Sequence, residues 1–307
     1  MTATTVLPAP LVSAQWLADH LGADDLVVVD ASVVAYTLPN GTAGSLSGHE
    51  QYIAFGHIPG AVFADLIDDF SDPEGRHPFT RPGASRFAAA AGALGIGPDS
   101  TVVVYDTALG QWASRFWWLL RAFGHDAAAV LDGGLTAWTA QERSTELGHV
   151  EPEPAVFEPR EREDAWVDKS YVERVVRGDE PATLVCSVPS KEFSGETAVR
   201  SRAGVIPGSV SVPAAGLVDR QTRTALPDAV LRDVLAPALR SPRVVAYCNG
   251  GVAAAAAALH VVRLGGDDVA VYDGSLNEWA ADPVAPLVPG AAPSHADASS
   301  GRLSRSR

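Results

Sequence analysis

The chain carries three motifs twice, in the same order and at almost the same spacing. Gly56-His57-Ile58-Pro59-Gly60-Ala61-Val62 is matched 148 residues on by Gly204-Val205-Ile206-Pro207-Gly208-Ser209-Val210. Val102-Val103-Val104-Tyr105-Asp106 is matched 142 residues on by Val244-Val245-Ala246-Tyr247-Cys248. Val130 to Trp138 (Val-Leu-Asp-Gly-Gly-Leu-Thr-Ala-Trp) is matched 141 residues on by Val271 to Trp279 (Val-Tyr-Asp-Gly-Ser-Leu-Asn-Glu-Trp). Solenoid repeats run to ~20–50 residues, so a period this long marks a duplicated domain. Whatever fold one half adopts, the chain must build it twice.

The length of 307 residues agrees with about two domains. We expect the first over 9–145, a linker over 146–164 and the second over 165–289. The linker, densest in Glu, Pro and Arg from Gly148 to Asp164, has no apolar period and reads as an extended polar connection. The Ala/Ser/Arg-rich tail at 290–307 reads as disordered. Within each half, short β-branched runs alternate with helical stretches. The runs are Leu26 to Val29, Val102 to Tyr105 and Ala128 to Leu131, then Thr183 to Val185, Val244 to Tyr247 and Val269 to Tyr272. Ser114 to Phe123 and Val252 to Leu264 read as helices between strands. This alternation implies an α/β fold whose parallel sheets are covered by helices on both faces.

Composition narrows the function. A net charge of −14 sets nucleic acid and acidic membranes aside as partners. No apolar run approaches the ~20 residues of a membrane span, and Met1 to Ala9 lacks the basic start and apolar core of a secretory signal. A cytoplasmic protein is expected. Two cysteines, Cys186 and Cys248, make neither a disulfide scaffold nor a closed zinc site. The acidic stretch Asp65 to Pro82 lacks the regular ligand spacing of a calcium loop and reads as a solvated excursion.

In parallel sheets ligands bind beyond the carboxyl ends of the strands. Cys248 is the first residue past such a strand, and Cys248-Asn249-Gly250-Gly251 leads directly into a helix. Two glycines permit a tight loop whose N–H groups converge on one point, and the helix N-terminus adds partial positive charge. Both favour the thiolate, the nucleophilic form of cysteine.

These residues resemble the two-domain rhodaneses, the thiosulfate and 3-mercaptopyruvate sulfurtransferases. The resemblance rests on the Gly-His-Ile-Pro-Gly-Ala motif at Gly56 to Ala61, on the Trp112 to His125 stretch, on Tyr272 to Trp279, and on a Cys-x-x-Gly-Val-x-Ala loop at Cys248 to Ala254. It spans roughly residues 10 to 288. It implies tandem rhodanese-like domains, each a small parallel sheet flanked by helices, with the active site in the cleft between them. It also implies a non-catalytic first domain, with Asp106 at the cysteine position helping to wall that cleft. The implied reaction is ping-pong and needs no metal and no organic cofactor. Cys248 takes sulfane sulfur from a small donor as a persulfide, held by the N–H groups of Asn249, Gly250, Gly251, Val252 and Ala253. A thiol, cyanide or a sulfur-carrier or thioredoxin-like protein then removes it. Phosphatases on the same fold use Cys-x5-Arg, and that arginine position is Ala254 here.

The chain departs from the family where the donor should bind. The family's Asp-x-Arg-x-x-x-Arg run after the first strand of the second domain is Cys186-Ser187-Val188-Pro189-Ser190-Lys191-Glu192 here. Both arginine positions are lost, to Val188 and Glu192, which predicts weak turnover of thiosulfate and mercaptopyruvate. Lys191, Arg200 and Arg202 are candidates to contact substrate. Cys186 is a candidate relay thiol or a small residue filling the space left by Asp. Two rival readings follow: a degenerate pair that only binds a partner, or a sulfurtransferase redirected to a sulfur-carrier protein. His57 reads as a turn-stabilising residue and His260 as a satisfied, packed histidine. Trp112, Trp117, Trp118, Trp138 and Trp279 read as core or interface.

Overall fold

Ten strands make two five-stranded parallel sheets, one from each half of the chain. The structure, a computed structural model, describes residues 5–39, 43–197 and 202–290, so Arg200 and all but Gly290 of the expected tail lie outside it. The first half contains β1 (Leu11–Val12), α1 (Ala14–His20), β2 (Leu26–Asp30), β3 (Val33–Thr37), β4 (Ala43–Ser47), α2 (His49–Phe55) and β5 (Val62–Phe63). It continues with α3 (Ala84–Ala93), β6 (Thr101–Tyr105), α4 (Gln111–Ala122), β7 (Ala128–Leu131) and α5 (Gly134–Thr139). The second half contains β8 (Trp166–Val167), α6 (Lys169–Arg177), β9 (Thr183–Cys186), α7 (Ser190–Phe193), β10 (Val210–Ser211), α8 (Asp228–Val234) and α9 (Ala236–Leu239). It ends with β11 (Val244–Tyr247), α10 (Val252–Arg263), β12 (Val269–Tyr272) and α11 (Ser275–Ala281).

The strand orders are β1-β7-β6-β2-β5 and β10-β9-β11-β12-β8. Every residue of β6, β7, β11 and β12 is buried, as strands covered by helices on both faces require. Fully burying one valine side chain is worth ~1.5–3 kcal/mol, so these short runs define the core. The Val-rich runs stand where the sequence places them. They lengthen by one residue at Asp30, Thr101 and Cys186, and α4 starts three residues before the expected Ser114.

Three features depart from expectation. β3 and β4 form an antiparallel hairpin beside the first sheet. The linker is held in place as well as being an extended polar connection. It is stapled to the first domain by Ala155 N–H to Gly92 O, Arg160 N–H to Phe123 O and Arg162 N–H to Ala122 O, with Phe157 buried. The excursion at 65–82 is also not merely solvated. At its far end the Arg81 N–H donates to Asp273 Oδ2 of the other domain (2.7 Å), and the Phe79 carbonyl accepts from Arg115 Nη2 (2.8 Å). Backbone donors with no partner in their own sheet find one across the domain boundary.

The two halves pack through α4 against α10. α10 is nearly all Ala and Val, whereas α4 carries Trp112, Phe116, Trp117 and Trp118, all buried. Small side chains facing large ones let the helices approach closely.

Candidate active site

Cys248 follows β11 at its carboxyl end and is 3% exposed. Its N–H donates to Ser275 Oγ (3.1 Å), as does the Gly251 N–H (3.1 Å), while Ser275 Oγ donates to the Tyr272 carbonyl (2.7 Å). One buried hydroxyl thus ties both ends of the loop to the turn after β12. The loop carbonyls of Cys248 and Asn249 accept from Leu276 N–H and Asn277 N–H. Gly251 has φ +76°, and a Cβ there would sit 2.9 Å from Arg115 Nη1, so only glycine suits the position.

Arg115 reaches this loop from α4 of the first domain. It is 2% exposed, pairs with Asp273 (2.7 Å) and bonds the Gly251 carbonyl (3.4 Å). Its guanidinium lies 5.0 Å from the centroid of the Trp166 ring.

Above the thiol lies a cleft of about 320 Å³. Its second-domain wall includes Ser187, Val188, Pro189, Asn249 and Gly250, and its first-domain wall is Pro78, Phe79, Gln111 and Trp112. The Phe79 and Trp112 rings are 5.0 Å apart between centroids. Asp106 does not line this cleft, contrary to its expected walling role. Its carboxylate is consumed inside its own loop, where it accepts N–H bonds from Ala108 (2.8 Å), Gly110 (3.0 Å), Trp112 (2.9 Å) and Ala113 (3.0 Å).

Other expected residues fall as follows. Asn249, Gly250, Val252 and Ala253 line the cleft with Cys248, and Gly251 closes the loop behind them. Lys191 is exposed on α7 and does not line the cleft. Arg202 does not line it and donates to the carbonyl of Ala280 (3.4 Å) in α11 and to those of Asp282 and Ala285 (2.7 Å) beyond that helix. Glu192 is buried beneath the loop and accepts from Asn249 Nδ2 (3.3 Å). Cys186 ends β9 beside Tyr247, its thiol within hydrogen-bonding reach of the tyrosine hydroxyl and pushed up to about 12 by burial. The first domain repeats this arrangement with Asp30 beside Tyr105, Asp30 being raised to about 6 by burial. His57 is fully buried, stacked on Tyr52 and bonded to the Tyr52 carbonyl and Glu146, which is the turn-stabilising role expected of it. His260 is packed but not satisfied: its buried Nδ1 has no partner.

Sequence reasoning missed Ser187, Phe79, Arg115 and Ser275. For Ser275 a signal existed, because its copy in the repeat is Gly134, and both have positive φ.

A duplicated α/β unit with a single thiol at the mouth of a tight loop is the build of a cysteine-dependent group-transfer enzyme. The rhodanese-like domain model matches residues 13–141 and 184–282. The 3-mercaptopyruvate sulfurtransferase of Homo sapiens is 36% identical over 283 residues, covering 88% of this chain and 91% of that protein. That of Escherichia coli K12 is 30% identical over 282 residues, covering 91% and 97%. The crystal structure of the 3-mercaptopyruvate sulfotransferase SseA from Escherichia coli superposes with a TM-score of 0.77 at 28% identity, covering 87% of this chain and 98% of that one. The chain belongs to the rhodanese family, and it is a sulfurtransferase. No helix among its described residues is long and apolar enough to cross a membrane.

Proposed function

We propose that Cys248 is the sulfur-carrying nucleophile and that its loop holds the persulfide anion. The observation that carries this reading is the Asp106 loop. There the same strand–loop–helix turn gathers four N–H groups onto one carboxylate, so the architecture binds an anion at that point. In the second copy the residue at that point is a thiol. The N–H groups of Asn249, Gly250, Val252 and Ala253 would stabilise its thiolate and then its persulfide, as an oxyanion hole stabilises developing charge, while the expected Gly251 N–H is committed to Ser275 Oγ.

The reaction is two displacements. The Cys248 thiolate attacks the outer sulfur of a donor, whose sulfur bond breaks with its electron pair leaving on the donor residue. With thiosulfate this gives Cys248–S–S⁻ and sulfite. An acceptor such as cyanide or a thiol then attacks the outer sulfur and restores the thiolate. The relatives named above are 3-mercaptopyruvate enzymes. In this chain Val188 lies in the cleft and Glu192 lies under the loop, where the family carries arginines, so slow turnover of both thiosulfate and 3-mercaptopyruvate is expected. A sulfur-carrier or thioredoxin-like protein is the proposed physiological acceptor. Both cysteines are unpaired, which suits a cytoplasmic setting that keeps thiols reduced. The domain boundaries we assign are 9–145 and 165–289, joined by 146–164.

A relay role for Cys186 is disfavoured, because a fully buried thiol held near pKa 12 carries almost no thiolate. Cys186→Ser should therefore leave turnover within about twofold of wild type, an effect below ~0.5 kcal/mol. Loss of sulfur release without loss of loading would instead establish the relay.

The test of the central reading is intact mass after exposure to thiosulfate, 3-mercaptopyruvate or polysulfide. One added sulfur atom, removed by cyanide and absent in Cys248→Ala, is expected. Loading that persists in Cys248→Ala would overturn it.

A further inference from the structure

We propose that the cleft over Cys248 is built for an organic persulfide, reacting as R–S–SH, in which R is a small uncharged apolar or aromatic group. The inference rests on Cys248 being the sulfur carrier and names the donor class that its cleft would accept.

Three independent observations converge. First, none of the described residues that line the cleft is charged. A carboxylate or sulfonate entering it would lose hydration and find no cationic side chain in return, and an unpaired buried charge is strongly disfavoured. Of the charged side chains at the loop, Glu192 is an acid already bonded to Asn249, and Arg115 does not line the cleft and is paired with Asp273. Second, the walls are apolar and aromatic. Phe79 and Trp112 stand on one side, tilted 51° to each other, and Val188 and Pro189 on the other. Flat apolar groups are stabilised between such surfaces. The cleft of about 320 Å³ is at the small end of ligand pockets, with room on the order of ten water-sized atoms. Third, Ser187 lines the cleft, is 2% exposed, and its hydroxyl has no hydrogen-bond partner. A buried hydroxyl without a partner is costly unless a ligand supplies one. A neutral hydroxyl can both donate to and accept from an S–SH group.

The step balances without a further reactant. The Cys248 thiolate attacks the terminal sulfur of R–S–SH and a new S–S bond forms. The donor's S–S bond breaks, its electron pair leaves as R–S⁻, and the proton stays on the transferred sulfur. The products are Cys248–S–SH and R–S⁻, which takes a proton from solvent.

The test uses the full chain and a matched pair of donors, benzyl persulfide and 4-carboxybenzyl persulfide, with thiosulfate alongside. Single-turnover addition of one sulfur atom to Cys248 is followed by intact mass. Benzyl persulfide should load at least about tenfold faster at limiting donor than its carboxylated analogue, as expected when a neutral pocket must desolvate a charge. Val188→Arg should reverse that order, and Ser187→Ala should slow benzyl loading severalfold. Equal loading by the two benzyl donors in wild type would overturn the proposal while leaving Cys248 as the carrier. Loading at no cysteine by any donor would instead remove the reading on which it rests. The wild-type comparison decides even if Val188→Arg fails to fold.

Discussion

Ser275 holds φ at +50°, a backbone region that costs an L-residue about 1–2 kcal/mol. Its copy in the first domain is Gly134, at φ +55°, which bears no such cost. The second domain keeps a serine there because its hydroxyl accepts the N–H groups of both Cys248 and Gly251. The strain is offset by holding the thiol's loop closed. Removing the hydroxyl in Ser275→Ala should lower sulfur loading by about 10–100-fold, since small misplacements of a reacting atom cost up to ~10²-fold. It should also cost about 1–3 kcal/mol in stability through the orphaned donors. Ser275→Gly loses the same bonds but relieves the backbone, so it should match Ser275→Ala in loading and exceed it in thermal stability. Single-turnover loading and thermal unfolding read the two effects separately. The place of Cys248 at a strand-to-helix loop was legible in the sequence because Cys, Gly and Gly stand directly between a strand and a helix. Ser275 was not read, because the turn that gives it its role is announced only by the glycine at its copy in the other domain, Gly134. Arg202, by contrast, looked available in the sequence but is spent on three carbonyls.

At the scale of elements, α10 shows what an almost wholly apolar helix does to its one titratable residue outside the last two positions. His260 is 4% exposed among Ala, Val and Leu, and burial pushes it down to about 4. An unfolded histidine titrates near ~6.5. Between those values the unfolded chain binds a proton that the native chain refuses, so stability falls as pH drops from about 6.5 to 4, by up to about 3 kcal/mol. Asp30 at the end of β2 works in the opposite sense. Raised to about 6 from 3.8, it holds a proton that the unfolded chain has released, so its contribution is complete below pH 3.8 and lost as pH rises through 6. His260→Leu should therefore flatten the acid loss of stability between pH 6.5 and 4 and expose the opposing slope of Asp30. Denaturant midpoints measured across that range would show it, and an unchanged slope would mean that His260 protonates in the native state. Long elements such as β6, β11 and α10 were legible because β-branched or apolar runs exceed the length at which a pattern is visible. The two-residue strands β1, β5, β8 and β10 were not, because two residues have no period. The start of α4 was missed because Gly110, at φ +79°, begins it without a capping side chain.

At the scale of the whole molecule the domains clasp each other in near-symmetric fashion. Arg81 of the first domain donates its N–H to Asp273, and Ala225 of the second donates its N–H to Asp132 (2.7 Å), the copy of Asp273 in the repeat. Beside Arg81, Phe79 sits at φ +62°, and beside Ala225, Arg223 sits at φ +61°. Each domain thus sends an arm over the loop of the other. The repeat was visible in the sequence, but these arms were not, since the bonds that place them join residues 93 and 192 positions apart. The two clasps should differ in consequence. Arg223 covers the Asp106 loop through the carbonyls of Thr107 and Ala108, and that loop carries no thiol. Arg115 supports the Cys248 loop and is paired with Asp273, whose side chain is only 12% exposed. Arg115→Ala should cost about 3 kcal/mol by leaving that carboxylate buried and unpaired, and sulfur loading should fall well beyond what the loss of folded protein explains. Arg223→Ala should cost about 1–2 kcal/mol through two lost charge-assisted bonds and leave loading by the remaining folded protein near wild type. Unfolding midpoints and loading rates at a temperature where both variants are folded separate the two effects. Equal losses of loading in both variants would mean that domain closure as a whole, and not the support of one loop, sets the rate.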